Sequence, residues 1–168
     1  MVPESTSSVT LTSSGRRVTE ARLERIEPDP WLASAFLDRA NQFAVDGART
    51  GLAVESRHIL LHNAVIAACD SVLAITGHEV VGSDGGHQLR LQKVERILAG
   101  DHGVLFERLD ELRATRNQVS YAAAPVLLPE ADEAVAAVAA LIGLADERVR
   151  PHLPNWLTNG EEKPPPEN

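Results

Sequence analysis

The segment 54–75 constrains the fold of this chain more than any other, because apolar residues cover most of its helical perimeter. Those residues are Ile59, Leu60, Leu61, Ala64, Val65, Ile66, Ala67, Ala68, Val72 and Leu73. A helix of this kind is normally the buried centre of a bundle, or is shared between a core and a dimer interface. We therefore predict a long central helix that stops at Gly77, and we expect the protein to form a homodimer.

Helical spacing of apolar residues continues on both sides of this segment. Asp29 followed by Pro30 is typical of an N-cap and a first helical turn, and predicts a helix that ends near Gly47. Further helices are predicted over 19–27, 87–98, 104–123 and 130–148. No segment alternates for long as a strand does, and aromatic residues are only 4% of the chain, which argues against a sheet core. The predicted fold class is all-α, an up-and-down bundle of four to five helices.

The two ends of the chain differ in composition from this helical region. Residues 1–17 are rich in serine and threonine and contain little to bury, so we predict a disordered N-terminal arm. Residues 18–150 form the predicted bundle domain, and a chain of 168 residues is long enough for one domain with a core. Residues 151–168 predict a proline-rich, acidic tail, in which Trp156 and Leu157 could dock on the domain surface.

Charge and cysteine content exclude several classes of protein. Lysine and arginine number 16 against 24 acidic residues, a net charge of −8, so general nucleic-acid binding is disfavoured and any such binding needs a local basic patch. The single cysteine, Cys69, excludes an intrachain disulfide and an all-cysteine zinc site. No segment approaches the roughly 18 apolar residues of a membrane span, and residues 1–17 lack the apolar block of a signal peptide. We expect no membrane association and a cytoplasmic location.

The glycine-rich stretch 77–86 can be compared with a phosphate-binding P-loop. Gly77 and Gly82 have the required spacing, but Ser83 and Asp84 stand where a lysine and a serine or threonine are needed, and the stretch follows a helix instead of a strand. We therefore predict a flexible loop between helices. Nucleophilic catalysis has little support either, because Cys69 lies in mid-helix among apolar neighbours.

A metal site is the next candidate, because Glu55, His58 and His62 fall on one face of the central helix. Glu-x-x-His is half of the di-iron signature of four-helix bundles, and no second copy occurs in the chain. His78, His87 and His102 lie in or beside loops and could in principle complete a zinc site. We nevertheless predict no metal and no cofactor, with the helical histidines as polar residues at a helix surface.

The end of the fourth predicted helix carries the most informative pattern. At roughly 100° per residue, Arg116 lies within the apolar stripe of that helix, where a guanidinium is costly unless it is paired. Arg113, Asn117, Ser120 and Tyr121 fall on the flank of the stripe and form a polar ridge with Arg116. One interpretation is structural, with Arg116 paired to Asp70 or Asp38. The other is a functional cleft, either between helices or across the two-fold axis of a dimer.

The run Arg116-Asn117-x-x-x-Tyr121 resembles the motif of the HEPN superfamily, and the helix order around it is similar. The similar context comprises Phe36-Leu37-Asp38-Arg39-Ala40, the helix 54–75, Gly86-His87 and Leu109-Asp110-Glu111-Leu112-Arg113. The resemblance covers about residues 30–148. HEPN domains are four-to-five-helix bundles that usually dimerise and place two Arg-x(4–6)-His motifs around a shared cleft. Many are metal-independent ribonucleases of toxin–antitoxin, abortive-infection and CRISPR-type defence, and others are non-catalytic RNA-binding or partner modules, often encoded beside a nucleotidyltransferase.

The resemblance implies catalytic roles for Arg116, Asn117 and Tyr121, and an RNA- or partner-binding role for Arg113, Arg116 and Ser120. Tyr121 stands where the family has its catalytic histidine, and a phenol with a pKa of about 10 is a poorer general base at neutral pH than an imidazole with a pKa of about 6.5. Binding is therefore better supported than cleavage.

Three functions remain open from the sequence. The first is a HEPN-like protein of a bacterial defence or toxin–antitoxin system that binds RNA or a partner protein, such as a cognate nucleotidyltransferase or antitoxin. The second is a non-catalytic scaffold bundle in which Arg116 is structural. The third is an active metal-independent endoribonuclease.

Overall fold

Five α-helices make up most of the part of the chain that the structure describes. A computed structural model gives residues 9–11, 17–82, 85–122 and 128–155, with side chains over 20–82, 85–117 and 131–155. The helices are α1 (Pro30–Gly47), α2 (Val54–Ile75), α3 (Gly86–Leu98), α4 (Gly103–Ala122) and α5 (Leu128–Val149), and a 3₁₀ turn (Arg150–His152) follows α5. The short strands are β1 (Val9–Leu11), β2 (Arg17–Thr19), β3 (Arg22–Arg25) and β4 (His78–Val81). The all-α class is therefore confirmed for these residues.

Helix α1 begins and ends as its sequence predicts. The Asp29 side chain accepts a hydrogen bond from the Leu32 amide at 2.9 Å, and Pro30 occupies the first turn, where its missing N–H costs nothing. The helix ends at Gly47, where α2 passes so closely that an added Cβ would lie 2.9 Å from Cγ of Leu61. Gly47 thus permits the close approach of α1 and α2.

Helix α2 is the centre of the fold, as predicted. It contacts α1, α3, α4 and α5, and 14 of its 22 residues are buried. It ends at Ile75 with Thr76 as its C-cap, after which Gly77 takes a left-handed φ of 72°. Large side chains of α2 that are almost completely buried include Leu61, Val65, Val72 and Leu73.

The neighbouring helices cover most of the apolar perimeter that suggested a dimer. Among the large hydrophobic residues of α2, only Ile59 is exposed, at 39%. By length and composition alone α2 could cross a membrane, but 72% of its most apolar 18-residue window is buried inside the protein, as in a core helix. Dimerisation stays a prediction.

The helix predicted over 19–27 is wrong, because Arg22–Arg25 form strand β3. This strand pairs antiparallel with β4, with Leu23 opposite Val80, and the Ile26 amide donates to the Gly77 carbonyl at 3.1 Å. The stretch 77–86 is therefore not simply a loop between helices. Gly82, with φ of 96°, follows β4, and an added Cβ there would lie 2.6 Å from the Glu20 carbonyl oxygen. Four residues of alternation are too few to distinguish a strand from a short helix by pattern alone.

The chain ends are described only in part. Residues 9–11 of the predicted disordered arm form β1, which pairs antiparallel with β2. Leu153, in the predicted C-terminal tail, is partly buried against the core. Trp156 and Leu157 lie outside the described residues, as do Ser83 and Asp84 of the glycine-rich stretch.

Candidate functional site

Helix α4 turns two arginines towards the core side of the bundle. Phe106, Leu109 and Leu112 are 5%, 1% and 4% exposed, and the half-buried Arg113 and Arg116 follow them at helical spacing. Arg116 therefore lies along the continuation of the apolar stripe. The local sequence places a guanidinium where the bundle would otherwise bury a hydrocarbon.

Arg113 has an acidic partner on its own helix. Its Nε lies 2.6 Å from Asp110 Oδ1 and its Nη2 lies 3.3 Å from Oδ2, one turn away. The hydrogen bond to Asp110 raises the pKa of Arg113 above its ordinary value. The Asp110 side chain is 48% exposed, so this pair lies at the edge of the bundle.

Arg116 has no acidic partner among the described residues. The hydrogen bond it makes there runs from Nη1 to Asn117 Oδ1 at 3.4 Å, a long contact, and its Nε is buried without an acceptor. Asp70, one of the two acids that could have paired with it, instead accepts from Arg90 Nε at 2.6 Å. Asp38, the other, is exposed on α1. The structural interpretation of Arg116 as half of an ion pair with either acid is therefore not what the fold shows.

Two histidines from other helices lie beside these arginines. His62 of α2 is 2% exposed, and its ring centroid is 4.7 Å from that of His87, in the first turn of α3. Neither ring nitrogen of His62 has a hydrogen-bond partner among the described residues. A buried imidazole without partners is costly, and so marks a position that packing alone does not explain.

Electrostatics shows that the two imidazoles and the two guanidiniums act on one another. Burial, followed by the charges of His87, Arg116 and Arg113, lowers the pKa of His62 from 6.5 to about 4. Burial, followed by Arg90, Arg116 and Arg113, also lowers the pKa of His87. We call His62, His87, Arg113 and Arg116 the cationic cluster after its two guanidiniums, because the lowered pKa values favour the neutral form of both imidazoles. It joins α2, α3 and α4 at one point of a chain whose net charge is −8.

The N-terminus of α3 adds to the positive potential of the cluster. Gly85 is the N-cap, with φ of 74°, and it has no side chain to accept from the first-turn amides. Those amides carry the partial positive charge of the helix end, which is a common place for an anion to bind. His87 belongs to this first turn, so its ring and these amides share one corner of the bundle.

The surface placement predicted for the α2 histidines is wrong. His58 and His62 are 1% and 2% exposed, whereas Glu55 is exposed, so the three do not form one ligand face. No group of three or more potential metal ligands occurs among the described residues. Helical spacing of His58 and His62 with Val65 and Val72 was the signal that would have placed both histidines in the core.

Some of the predicted site residues are brought together and others are not described. Arg113, Arg116 and Asn117 lie side by side near the C-terminal half of α4. The backbone of Ser120 and Tyr121 continues the same helix, but their side chains lie outside the described residues. His87, which the sequence suggested only as helix context and as a possible zinc ligand, is the residue that the predicted site lacked.

A separate cavity of about 520 Å³ lies between α2, α4 and α5. Its lining includes His58, Arg108, Glu111 and Glu133, and therefore charges of both signs. Such a mixed lining favours no particular class of ion. The cationic cluster is the stronger candidate for binding.

Comparison of the chain with protein-family models, with curated proteins and with solved structures finds no match.

Proposed function

We propose that this protein is a HEPN-like RNA-binding module of a bacterial defence or toxin–antitoxin system, and that the cationic cluster contacts RNA phosphate. The observation that carries the proposal is the state of Arg116, whose buried Nε has no acceptor among the described residues, while Arg116 and the second guanidinium, Arg113, both act on two neighbouring imidazoles. Like charges held together lower stability unless an anion joins them. A phosphate oxygen would supply the missing acceptor.

Arginine is well suited to this role because its planar guanidinium donates two parallel hydrogen bonds to a phosphate. The chain as a whole is acidic, so only the cluster is expected to attract phosphate. Each bound RNA is therefore expected to have few of its phosphates neutralised by the protein. RNA is proposed as the source of the phosphate because the run from Arg116 to Tyr121 resembles the HEPN motif.

Binding is proposed without cleavage. The motif histidine is replaced by Tyr121, and the nearest imidazole from α2, His62, is too deeply buried to reach a ribose hydroxyl. Its lowered pKa also makes it a weak base. If no RNA binds, the proposed ligand of the cluster becomes a protein partner, such as an antitoxin.

The test is binding of a fluorescent single-stranded RNA by anisotropy, with Arg116→Ala compared with Arg148→Ala. Arg148 is an exposed arginine of α5, so the two variants lose the same charge from the chain. We expect Arg116→Ala to weaken binding about tenfold or more, the value of a charged hydrogen bond of about 1.5–3 kcal/mol, and Arg148→Ala to leave binding almost unchanged.

Denaturant melts of the same variants complete this test. Because Arg116 has no acidic partner among the described residues, its truncation is expected to change the free energy of unfolding by less than about 1 kcal/mol or to raise it. A loss of about 3–5 kcal/mol would instead indicate a structural ion pair. That loss, together with no RNA binding by the parent protein, would favour the scaffold function.

A further inference from the structure

We infer that the cationic cluster is a site for a phosphomonoester, held between the first turn of α3 and the guanidinium of Arg116, and not a track for the internal phosphodiester backbone. The inference rests on the proposed function, since it specifies which phosphate of an RNA the cluster takes. A terminal phosphate and a free nucleotide present the same chemical group, so both are candidate sources.

The arrangement of charge favours a single phosphate over a strand. Proteins that follow a nucleic-acid backbone need a groove lined with cations along its length. Here the two guanidiniums of α4 and the imidazoles of α2 and α3 meet at one point, and carboxylates flank it: Asp110 beside Arg113 and Asp70 beside Arg90. Glu107 and Glu111 are also exposed on α4. A strand running past the cluster would meet these acids, whereas a chain end could stop there.

Two independent features point to the same corner of the bundle. The first is the N-terminus of α3, a helix of 13 residues whose N-cap, Gly85, offers no side-chain acceptor to the first-turn amides. The second is His62, which is 2% exposed, has no partner on either ring nitrogen and contacts the ring of His87 in that turn. The buried Nε of Arg116 provides a third donor without an acceptor.

The charge of the ligand distinguishes the two kinds of phosphate. A phosphomonoester carries about −1.5 to −2 near neutral pH, whereas a diester carries a single negative charge. The charged groups that act on the two imidazoles are Arg90 on α3 and Arg113 and Arg116 on α4. Arg90 is paired with Asp70 of α2, and Arg113 is paired with Asp110 of α4. A bound dianion would offset the arginine charges and raise the pKa of His87, so binding is expected to take up a proton.

The experiment compares one oligoribonucleotide sequence with a 5′-phosphate, a 3′-phosphate or hydroxyls at both ends, in anisotropy titrations near pH 6.5. Adenosine monophosphate and inorganic phosphate are used as competitors. We expect one phosphorylated end to bind at least about tenfold more tightly than the hydroxyl form, with competition by the small phosphates. Calorimetry in two buffers of different ionisation enthalpy is expected to show proton uptake.

Variants assign the effect to the cluster. His87→Gln is expected to remove the preference for the phosphorylated end and the proton uptake. His102→Gln, in the turn between α3 and α4, is the matched control and should retain both. Because His87 is only half-buried, its substitution is compatible with folding, and circular dichroism checks this.

The outcomes separate the two proposals. Equal affinity for phosphorylated and hydroxyl RNA, both weakened by Arg116→Ala, would overturn the inference and leave the proposed function standing. Binding of adenosine monophosphate or phosphate with proton uptake, but no binding of any RNA, would support the inference and overturn the proposed function. Absence of binding by every ligand would overturn both.

Discussion

At the scale of single residues, the notable feature is an imidazole kept neutral in the core. His62 is deeply buried beside His87 and two arginines of α4, and each of these neighbours disfavours the protonated ring. Such an arrangement reduces stability in acid and gains nothing for packing that a leucine would not supply. Residues that are poor choices for folding are often retained for function.

The first prediction follows from the lowered pKa of His62, about 4 against an ordinary 6.5. The unfolded chain binds a proton at His62 more readily than the folded protein does, so stability is complete above about pH 6.5 and falls as the pH drops towards 4. The whole shift corresponds to a loss of about 3 kcal/mol. Urea melts between about pH 7 and 5.5, above most carboxylate titrations, measure the upper part of this loss of stability.

His62→Leu is the comparison that isolates this effect. It is expected to reduce the slope of unfolding free energy against pH, because one titrating group is removed. Burial raises the pKa of Asp70, so the contribution of Asp70 to stability changes with pH in the opposite direction. This contribution is the same in the parent protein and in His62→Leu. An unchanged slope would show that His62 does not titrate with folding.

At the scale of elements, the fold depends on how closely α1 and α2 approach. Gly47 is the last residue of α1, and its carbonyl accepts a hydrogen bond from Arg57 Nε at 3.0 Å. Arg57, only 5% exposed, also pairs with Asp132 of α5 at 2.9 Å. One side chain of α2 therefore holds the end of α1 and the start of α5 in place.

Two glycine substitutions test this packing, and their expected effects on stability are opposite. Gly47→Ala would place a Cβ 2.9 Å from Leu61 Cγ and 3.2 Å from its backbone nitrogen, so we expect a loss of stability of about 1–3 kcal/mol. Gly143→Ala, on the exposed side of α5 with nothing within 4 Å, is expected to stabilise by about 0.5–1 kcal/mol. Thermal melts measure both, and stabilisation by Gly47→Ala would contradict the close approach.

At the scale of the whole molecule, the open question is the number of chains. The bundle buries most of α2 within one chain, so the excess of apolar perimeter no longer requires a partner. Large apolar side chains left exposed among the described residues include Trp31, Val45 and Ile59. These side chains could pack against a second copy of the chain. A dimer would contain two copies of the cationic cluster.

We expect a homodimer in solution. Size-exclusion chromatography with light scattering should give about twice the monomer mass of 18.1 kDa. Val45→Asp, at a position 60% exposed, is expected to shift the mass towards the monomer if α1 contributes to the interface, without loss of stability. A monomer at tens of micromolar in the parent protein would exclude a cleft shared between chains.

The helices were predictable because their signals are local. Asp29, Pro30 and Gly77 mark ends that depend on neighbouring residues only, and α2 was predicted with its observed bounds. Strand β3 was not predictable, since its four residues gain their conformation from β4, which lies far along the chain. The cationic cluster was half predictable for a related reason. The position of Arg116 follows from helical period, but the arrival of His62 and His87 beside it depends on how α2 and α3 pack.

The pairing of β3 with β4 has a consequence for the order in which the chain folds. The pair closes a loop that contains all of α1 and α2, and closing a long unstructured loop carries a large entropic cost. If α1 and α2 first form their hairpin, the ends of that loop are already close, and the strands can join at little further cost. The ladder is then a late step in folding. Because β4 leads into the first turn of α3, this late step would also fix the position of that turn, and with it His87, against the strand pair.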